Sequence, residues 1–572
     1  MKDRSRRDIR SGMRAQHAWI SLWVCACSQD AAVADSFDVT TGGTAVEGTT
    51  TGAMTTAMTS ATTDPTRPAD SSGSPSGSES DGGGLFDVGN GEGTTGEPVD
   101  FCSVGEDIDG IGACATGPLA PSFAGEVQWS WGAGIGGSLT TPLVANLTDD
   151  NGDGVVDLCD TPDIVVLVRY PVDMNEPGAE SPTRIVVLDG NSGPGGDVHW
   201  ELERRFAQAV NPALGDIDGD GEVEIIAVER DESDLWRLVA ISNTGEVEWV
   251  APVGYDNEIG FLGHVALADM DADGDVEIMA GQIIADHQGN TLAVISTAAS
   301  SSGFAVDLDD DGDLEYVHAT GAHHHDGTPY FQHIGGGDLS FPQVADIDDD
   351  GLPEVVYSDY PQGIAVYEHD GALKLSNALP DLAGLPAALH DMDGDNAVDI
   401  AVGYNYVGVG PGSASFSVLE FADDELTAAW TKPTVGGCCA GGTAFDFLGD
   451  GTAEAIFGDD QQVYVFDEIG TVLTTTPRST PTGTDYPVVA DVDNDGSAEI
   501  VFVAEDTVLR VIRDADEGWV SARRIWNQHA YHVTNVREDG TIPTVQPKNW
   551  ATLNTFRTQA QRGDDGVCDP AG

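Results

Sequence analysis

The chain has 572 residues, and its 97 acidic residues against 24 lysines and arginines give a formal net charge of −73. Nucleic acids and anionic membrane surfaces are bound through Lys and Arg, so this charge excludes both as direct partners of the folded chain. Much of the acid lies in short, regularly spaced loops, where divalent cations are best able to relieve the repulsion between carboxylates.

Residues 1–27 have the pattern of an export signal. A basic region from Lys2 to Arg14 precedes the apolar run AWISLWVCAC, which is too short to span a bilayer. The last four residues, Val24 to Cys27, resemble a bacterial lipobox, which implies that Cys27 receives lipid. Cys25 departs from that motif because it stands where a small residue is usual, and an ordinary secretory signal is the alternative. We expect an exported protein of the cell envelope, lipid-anchored at the outer surface of a bacterium.

Residues 28–100 are rich in Thr, Ser, Gly, Asp and Pro, and Arg67 is their only basic residue. Such a stretch cannot bury enough apolar surface to offset its chain entropy, so we expect a disordered tether. A tether placed just after a lipidated residue would hold the following domain away from the surface.

Six of the eight cysteines follow the signal, and the sequence alone does not determine their pairing. Cys102 and Cys114 are close neighbours in the Gly-rich lead-in at residues 101–125, and we expect them to form a disulfide. The adjacent Cys438 and Cys439 form a vicinal disulfide or pair elsewhere. No second close Cys or His pair accompanies either set, so neither predicts a zinc site.

An acidic loop of nine residues recurs eight times within residues 126–527. In the unit Phe341 to Ser376 it reads DIDDDGLPE, with oxygen-bearing side chains at positions one, three, five and nine. Carboxylates at alternate positions can wrap one hard cation such as Ca²⁺. An EF-hand would need a bidentate Glu where Tyr357 stands, so we expect strands rather than helices around the loop. The candidate ligands are Asp149, Asn151, Asp153 and Asp157; Asp216, Asp218, Asp220 and Glu224; Asp269, Asp271, Asp273 and Glu277; Asp307, Asp309, Asp311 and Glu315; Asp346, Asp348, Asp350 and Glu354; Asp391, Asp393, Asp395 and Asp399; and Asp491, Asp493, Asp495 and Glu499.

Two loops depart from the pattern. Loop six has Asn396 where the others have Gly, and because Asn tolerates positive φ we expect this loop to keep its shape. Loop seven keeps Asp446, Asp450 and Glu454 but has Leu448 in place of the middle carboxylate. We expect loop seven to bind calcium weakly or not at all.

Each loop is flanked by short β-rich runs, one before it and three after it, and the last often carries Trp. Four such runs per unit, bounded by Gly, Asp and Asn turns, predict an all-β fold, a β-propeller of four-stranded blades. The run EVQWSW at Glu126–Trp131 has no blade before it. It would close the ring by pairing with the last blade near Trp519 to Trp526.

From roughly Gln128 to Asn527 the repeats closely resemble FG-GAP or VCBS repeats, the blades of the integrin alpha-subunit head and of many secreted bacterial proteins. The resemblance implies several structural Ca²⁺ ions, each held in the loop between the first two strands of a blade. It also implies a position-seven carbonyl as a further ligand. Integrin heads have seven blades, whereas this chain offers eight full units, so eight blades are preferred and seven are the alternative.

The other histidine clusters do not predict a metal or catalytic site. His323, His324 and His325 fall on a predicted third strand, where alternation prevents three convergent ligands. His529 and His532 lie in residues 528–572, a closing segment that we expect to pack across the end of the propeller. No G-x-S-x-G elbow and no P-loop is present.

We therefore expect a surface-anchored calcium-binding propeller that acts in adhesion or in binding an extracellular protein or glycan, and no catalysis. The alternatives are a polysaccharide-active enzyme, such as a calcium-stabilised propeller lyase, and a purely structural envelope protein. The lyase would need a basic cluster to stabilise an enolate on an acidic sugar, and the sequence shows none.

Overall fold

A computed structural model of the chain describes residues 102, 108, 111–114, 122–171, 181–256, 259, 263–296, 303–334, 336–337, 339–359, 363–378, 382–406, 414–422, 425–436, 440–480, 483–563 and 566–569. The predicted signal with Cys27, the predicted tether at 28–100 and the Cys438–Cys439 pair lie outside these residues. Within the described ranges, no helix is long and apolar enough to cross a membrane.

Eight antiparallel sheets follow one another along the described chain; seven are built from consecutive strands, and the eighth takes its outermost strand from the start of the domain. The fold is an eight-bladed β-propeller, which confirms the predicted architecture and the preferred blade number. The strands of blades 1 to 4 are Leu143–Ala145, Asp163–Arg169, Thr183–Asp189 and Val198–Arg204; Ala213–Gly215, Glu224–Arg230, Trp236–Ile241 and Val247–Val250; Val265–Ala268, Glu277–Ala280, Ile283–Ala285 and Thr291–Val294; and Gly303–Val306, Glu315–His318, Gly321–His323 and Pro329–Gln332.

The second half of the ring repeats this plan. Blade 6 differs because its innermost position is shared by two short strands that both pair with the next one. The strands of blades 5 to 8 are Ser340–Ala345, Glu354–Asp359, Gly363–Glu368 and Leu373–Ala378; Leu382–Gly384, Ala388–His390, Asp399–Tyr406, Ala414–Ala422 and Glu425–Thr434; Gly442–Phe445, Glu454–Gly458, Gln462–Phe466 and Val472–Pro477; and Val488–Ala490, Glu499–Ala504, Val508–Asp514 and Gly125–Trp131.

Burial falls from the axis of the ring to its rim. In blade 5, every residue of the first two strands, Ser340–Ala345 and Glu354–Asp359, is buried. The outermost strand of blade 1, Val198–Arg204, instead alternates between exposed and half-buried residues. Neighbouring blades cover both faces of the inner strands, so these strands read as continuous apolar runs, whereas a rim strand keeps the two-residue alternation.

The ring is closed by residues from the two ends of the propeller sequence. Gly125–Trp131 pairs antiparallel with Val508–Asp514 and completes blade 8. The prediction that Glu126–Trp131 closes the last blade is confirmed, but its partner strand precedes the predicted region. Trp519 instead packs on Phe123, with ring centroids 4.6 Å apart.

Aromatic residues of the outermost strands join neighbouring blades. Trp200 of blade 1 packs on Gly245 of blade 2, and Trp249 of blade 2 packs on Gly289 of blade 3. Gly289 has a φ of +77°, and a Cβ at this position would lie 2.5 Å from the Trp249 ring. These contacts explain why Trp recurs in the fourth run and Gly in the turn that precedes it.

Residues 523–563 form a central segment, which includes the 3-10 turns Val533–Asn535 and Asn549–Ala551. Arg523, Trp526 and Arg557 within it are fully buried. The segment touches all eight blades at the innermost strand or at the first residue of the loop that follows it. These contacts are Val144–Trp526, Leu214–Asn527, Leu267–Gln528, Phe304–Phe556, Asp346–Asn554, Leu389–Phe556, Thr443–Arg557 and Asp491–Arg523.

The predicted Cys102–Cys114 disulfide is wrong. Cys102 is bonded to Cys159, and Cys114 is bonded to Cys568. Nearness in sequence misleads here because Gly112–Ala113 pairs in parallel with the last strand, which places Cys568 opposite Gly112 and beside Cys114. The second disulfide ties the lead-in to the C-terminal end of the domain.

Candidate metal centres in the acidic loops

The acidic loops share one hydrogen-bonding plan, and blade 2 illustrates it. The position-nine carboxylate of Glu224 begins the second strand and accepts the position-two N–H of Ile217 at 2.9 Å. Asp216 at position one accepts the N–H groups of Gly219 at 2.7 Å and Gly221 at 3.1 Å. The backbone thus holds the first and last carboxylates of the loop in place.

The same position-two to position-nine bond occurs in every blade. This bond ties the loop to the first residue of the second strand. The position of the last carboxylate is therefore set by the pairing of the two strands as well as by the loop motif. The bonds in the other seven blades, all 2.8–3.0 Å long, are Leu147 to Asp163, Met270 to Glu277, Leu308 to Glu315, Ile347 to Glu354, Met392 to Asp399, Phe447 to Glu454 and Val492 to Glu499.

In blades 2 and 3, three of the four predicted ligands lie close together. In blade 2, one carboxylate oxygen from each of Asp216, Asp218 and Glu224 lies within 4.8 Å of the others. In blade 3 the same holds for Asp269, Asp271 and Asp273. An all-oxygen set of this kind is what a hard cation such as Ca²⁺ takes.

Without a cation, burial of the ionised loop carboxylates is unfavourable in free energy. Burial is the largest cause that raises the pKa of Glu224 to about 8, and the neighbouring carboxylates raise it further. The pKa of Glu277 is raised to about 7 for the same reasons. In blade 8, Glu499 Oε1 and Asp493 Oδ1 are buried with no hydrogen-bond partner in the described part of the chain. A divalent cation would supply the missing partner, so the residues present fit the group that the motif implies.

In blades 1, 5 and 8, the acidic loop is also contacted by one residue that the motif does not contain. In every blade, the pairing of the third and fourth strands contains a β-bulge, in which one residue of the fourth strand has no pairing partner on the third. This bulge residue stands directly before the aromatic residue of that strand in five of the blades. The bulge residues of blades 1 to 8 are His199, Glu248, Leu292, Tyr330, Lys374, Ala429, Leu473 and Gln128.

Where the bulge residue is charged or polar, it changes the electrostatic setting of the loop that it contacts. Lys374 of blade 5 places Nζ 3.1 Å from Glu354 Oε1 and also contacts Asp348 Oδ2. Although burial opposes the shift, hydrogen bonds to these carboxylates and to Glu368 raise the pKa of Lys374. Gln128 of blade 8 instead donates a neutral amide to Asp493 Oδ2 at 2.7 Å. Sequence reasoning missed this position because the bulge becomes visible only once the strands are paired.

Blade 1 departs from the predicted ligand set. Its second strand begins at Asp163, so the position-nine role belongs to Asp163 and not to Asp157. Asp157 accepts the N–H of Cys159 at 2.8 Å instead. The nine-residue pattern fits the sequence at 149–157, but the connection between the two strands runs from 146 to 162 and contains that pattern as an insertion.

The residues at the start of the predicted first loop keep the local geometry. Asp149 accepts the N–H groups of Gly152 at 2.7 Å and Gly154 at 2.9 Å, as a position-one residue does. Asp153 accepts the N–H of Val155 at 3.0 Å, as position five does toward position seven.

Loop six keeps its shape, as its sequence predicts, whereas the weak calcium binding expected of loop seven stays a prediction. Asn396 has a φ of +67°, the conformation that Gly adopts in the other loops. Loop seven keeps the bond from Phe447 to Glu454, and Gln561 of the central segment donates its amide to Asp446 Oδ2 at 3.0 Å. This amide partly satisfies a loop that lacks a carboxylate at Leu448.

The three consecutive histidines do not converge. His323 Nδ1 lies 2.8 Å from His318 Nε2, His324 Nδ1 lies 2.9 Å from Glu315 Oε1, and His325 Nδ1 lies 3.2 Å from Asp313 Oδ2. Each imidazole thus has a different partner, as alternation along the chain predicts.

The histidines of the central segment are packed side chains. His529 is buried and stacks on His264 at 4.6 Å, and burial is the largest cause that lowers the pKa of both. Burial also lowers the pKa of His532 to about 4. Neutral, enclosed imidazoles of this kind suit a packed core.

A cleft of about 160 Å³ lies between loops six and seven and the central segment. Asp391, Asn396, Asp446, Asn554 and Gln561 contribute polar groups to it. Neither Lys nor Arg lines this cleft. His390 is the one basic residue among the described residues that line it.

The fold was compared with known proteins. No protein-family model and no curated protein matches the chain. Among solved structures, the biofilm matrix protein Bap1 of V. cholerae has a TM-score of 0.61 at 20% identity, covering 78% of this chain and 100% of its own. A rhamnogalacturonan lyase of Bacillus licheniformis has a TM-score of 0.50 at 16% identity, covering 80% of this chain and 84% of its own. At these identities the likeness shows the propeller fold alone.

Proposed function

We propose that this chain is an exported, surface-anchored calcium-binding propeller of the FG-GAP type, which acts in adhesion by binding an extracellular protein or glycan. The observation that carries the proposal is the repeated oxygen cage, in which buried oxygens of Asp493 and Glu499 have no partner among the described residues. Extracellular calcium modules bind at about 10⁻⁴–10⁻³ M, so such cages would be filled outside the cell.

The disulfides support export. Cys102–Cys159 and Cys114–Cys568 belong to an oxidising compartment, because cytosolic thiols are kept reduced. The N-terminal basic and apolar residues that end at Cys27 agree with this compartment.

The calcium in this proposal is structural. Position-nine carboxylates such as Glu224 begin the second strand of a blade, so an ion bound there would tie the loop to the sheet. The central segment also contacts these loops, since Asn554 bonds Asp346 and Gln561 bonds Asp446. We therefore assign ligand binding to the opposite end of the ring, where the connections from one blade to the next lie.

The similar solved structures favour two different classes of activity. The biofilm matrix protein is similar over its whole length and supports an adhesive role. The lyase from Bacillus licheniformis supports the second candidate, an enzyme that cleaves a polysaccharide. The cleft without Lys or Arg favours the first.

Binding assays on the full chain separate these candidates. Protein saturated with calcium is applied to a glycan array and used in a cell-surface pull-down, and it is also incubated with uronic-acid polysaccharides while unsaturated products are followed by ultraviolet absorbance. Saturable, calcium-dependent binding without product supports adhesion. Formation of unsaturated product establishes the lyase, and the lack of both ligand and product leaves the structural envelope protein.

A matched variant shows whether calcium in the loops affects ligand binding only by stabilising the fold. Glu499→Gln removes a buried loop carboxylate far from the proposed binding end. We expect it to weaken the calcium dependence of stability while leaving ligand affinity at saturating calcium within about twofold.

A further inference from the structure

Blade 1 lacks the calcium donor set at the place where blades 2 to 6 and blade 8 keep it. Ala145 pairs with Asp163 as Gly215 pairs with Glu224 in blade 2, so Asn146 stands at the register position of Asp216. Thr148 correspondingly takes the place of Asp218. An amide and a hydroxyl thus replace two carboxylates, and the site loses two negative charges.

An imidazole has been added at the same place. His199, the bulge residue of blade 1, places Nε2 3.2 Å from Asp163 Oδ1 and 3.7 Å from Asp150 Oδ1. One ligand atom from each of these three residues lies within 4.8 Å of the others. Ligands held about 2.0–2.2 Å from a tetrahedral ion are roughly 3.4 Å apart, so these separations suit a bound ion.

A separate observation indicates that the site lacks a partner. Both side-chain polar atoms of Asn146 are buried and have no hydrogen-bond partner in the described ranges, and the residue is only 6% exposed. Its register position aims it where Asp216 meets Asp218 and Glu224 in blade 2. An unsatisfied buried amide at this position is explained by a ligand that it can contact directly or through a bound water.

We propose that Asp150, Asp163 and His199 form a site for one divalent transition-metal ion of the Zn²⁺ type, at a place that lacks the position-one and position-three carboxylates of the intact calcium loops. Imidazole nitrogen suits borderline metals such as Zn²⁺, whereas Ca²⁺ takes oxygen ligands. Three protein ligands leave a fourth position open to water or to an exogenous group. Asp150 is exposed, so the ion can enter from solvent.

The test uses the full chain, stripped with a chelator, exchanged into buffer with excess Ca²⁺ and titrated with Zn²⁺ in a calorimeter. We expect one equivalent of Zn²⁺ to bind in the presence of calcium. His199→Gln should weaken this binding by at least about 100-fold, since loss of a ligand exceeds loss of a supporting group. The matched control is His287→Gln in blade 3, where the imidazole lies 3.7 Å from the single carboxylate of Asp275, and it should bind Zn²⁺ as the wild type does.

A second measurement does not depend on how the variant folds. Co²⁺ added to the wild-type chain in excess calcium should give the visible absorption of a four-coordinate site, which Zn²⁺ then abolishes. Zn²⁺ binding that calcium competes away, or that His199→Gln leaves unchanged, would overturn the proposal. In either case the contact between His199 and Asp163 is an ordinary ion pair.

Discussion

The loops of blades 5 and 8 have the same carboxylate spacing and very different surroundings. DIDDDGLPE and DVDNDGSAE both supply carboxylates at positions one, three, five and nine. In blade 5 the ammonium of Lys374 lies against Asp348 and Glu354. In blade 8 the facing residue is Gln128, and Glu499 Oε1 is left buried without a partner among the described residues.

The difference shows that the motif determines which donor atoms are present but not how strongly a bound cation would stabilise the loop. Blade 5 has an internal positive charge that offsets part of its negative charge. Blade 8 has none at that position, and burial raises the pKa of Glu499 well above its usual range and that of Asp491 to about 7. Burial also raises the pKa of Glu354 in blade 5 to about 8, but there the hydrogen bond from Lys374 opposes the shift. We therefore expect calcium to stabilise blade 8 strongly and blade 5 weakly. The following predictions test this comparison in order of expected effect.

Removal of calcium should have the largest effect. Each filled site contributes about 1–3 kcal/mol when free calcium is about 10 to 100 times the Kd. Several such sites together should lower the melting temperature in EDTA on the order of 10 °C, which differential scanning calorimetry measures. Restoring Ca²⁺, but not an equal concentration of Mg²⁺, should recover the loss, because Mg²⁺ demands a smaller octahedral cage. A melting curve that EDTA leaves unchanged would falsify the proposal of structural calcium.

Without calcium, stability should fall as the pH rises. Burial raises the folded-state pKa of Glu224 to about 8 and that of Asp491 to about 7, above the values of an unfolded chain. This contribution to stability is fully present below about pH 4 and is lost as the pH rises toward 8. The melting temperature in EDTA should therefore drop by several degrees between pH 5.5 and pH 8. Calcium should flatten this dependence, and a rise with pH in EDTA would contradict the assignment.

Paired glutamine variants should respond with opposite signs in EDTA. Glu499→Gln replaces a buried carboxyl that is costly to ionise with a neutral amide, so the calcium-free protein should melt at a higher temperature, while the rise in melting temperature on adding calcium shrinks. Glu354→Gln removes a partner of Lys374, so the calcium-free protein should lose about 1–2 kcal/mol, while its gain on adding calcium stays near the wild-type value. If both variants shift in the same direction, the two loops are equivalent and the comparison fails.

Replacing the lysine should convert blade 5 into a loop like that of blade 8. Lys374→Met keeps much of the side-chain volume and removes the ammonium from Asp348 and Glu354. Calorimetric titration with Ca²⁺ should then show about one additional site, with a small loss of stability in EDTA. Leu473→Met in blade 7 is the matched control at the equivalent bulge, and its calcium stoichiometry should not change.

The sequence was informative wherever the structural signal is local. Loop spacing predicted which carboxylates of blades 2 and 3 lie close together, three of the four in each, and the recurrence of the loop predicted the number of blades. The left-handed conformation of Asn396 follows from the side chain of one residue and was also predictable.

Prediction from the sequence was wrong where a local pattern conflicts with a contact between residues far apart along the chain. Asp157 completes a nine-residue motif, but Asp163 takes its role because the second strand begins there. Cys102 and Cys114 are neighbours in sequence, but their disulfide partners are brought to them by the pairing of the chain ends.

By itself, then, the sequence determined an eight-unit ring of antiparallel blades and the oxygen-rich loops between their first two strands. Both are set by alternation, turn residues and spacing within a few positions of the chain. Only the tertiary structure decided which group faces each loop. His199, Lys374 and Gln128 occupy equivalent bulges, and Gln128 reaches blade 8 only because the ring closes with a strand from the start of the domain. Electrostatic energy depends on distance through space, and the folded ring brings together charges that lie far apart along the chain.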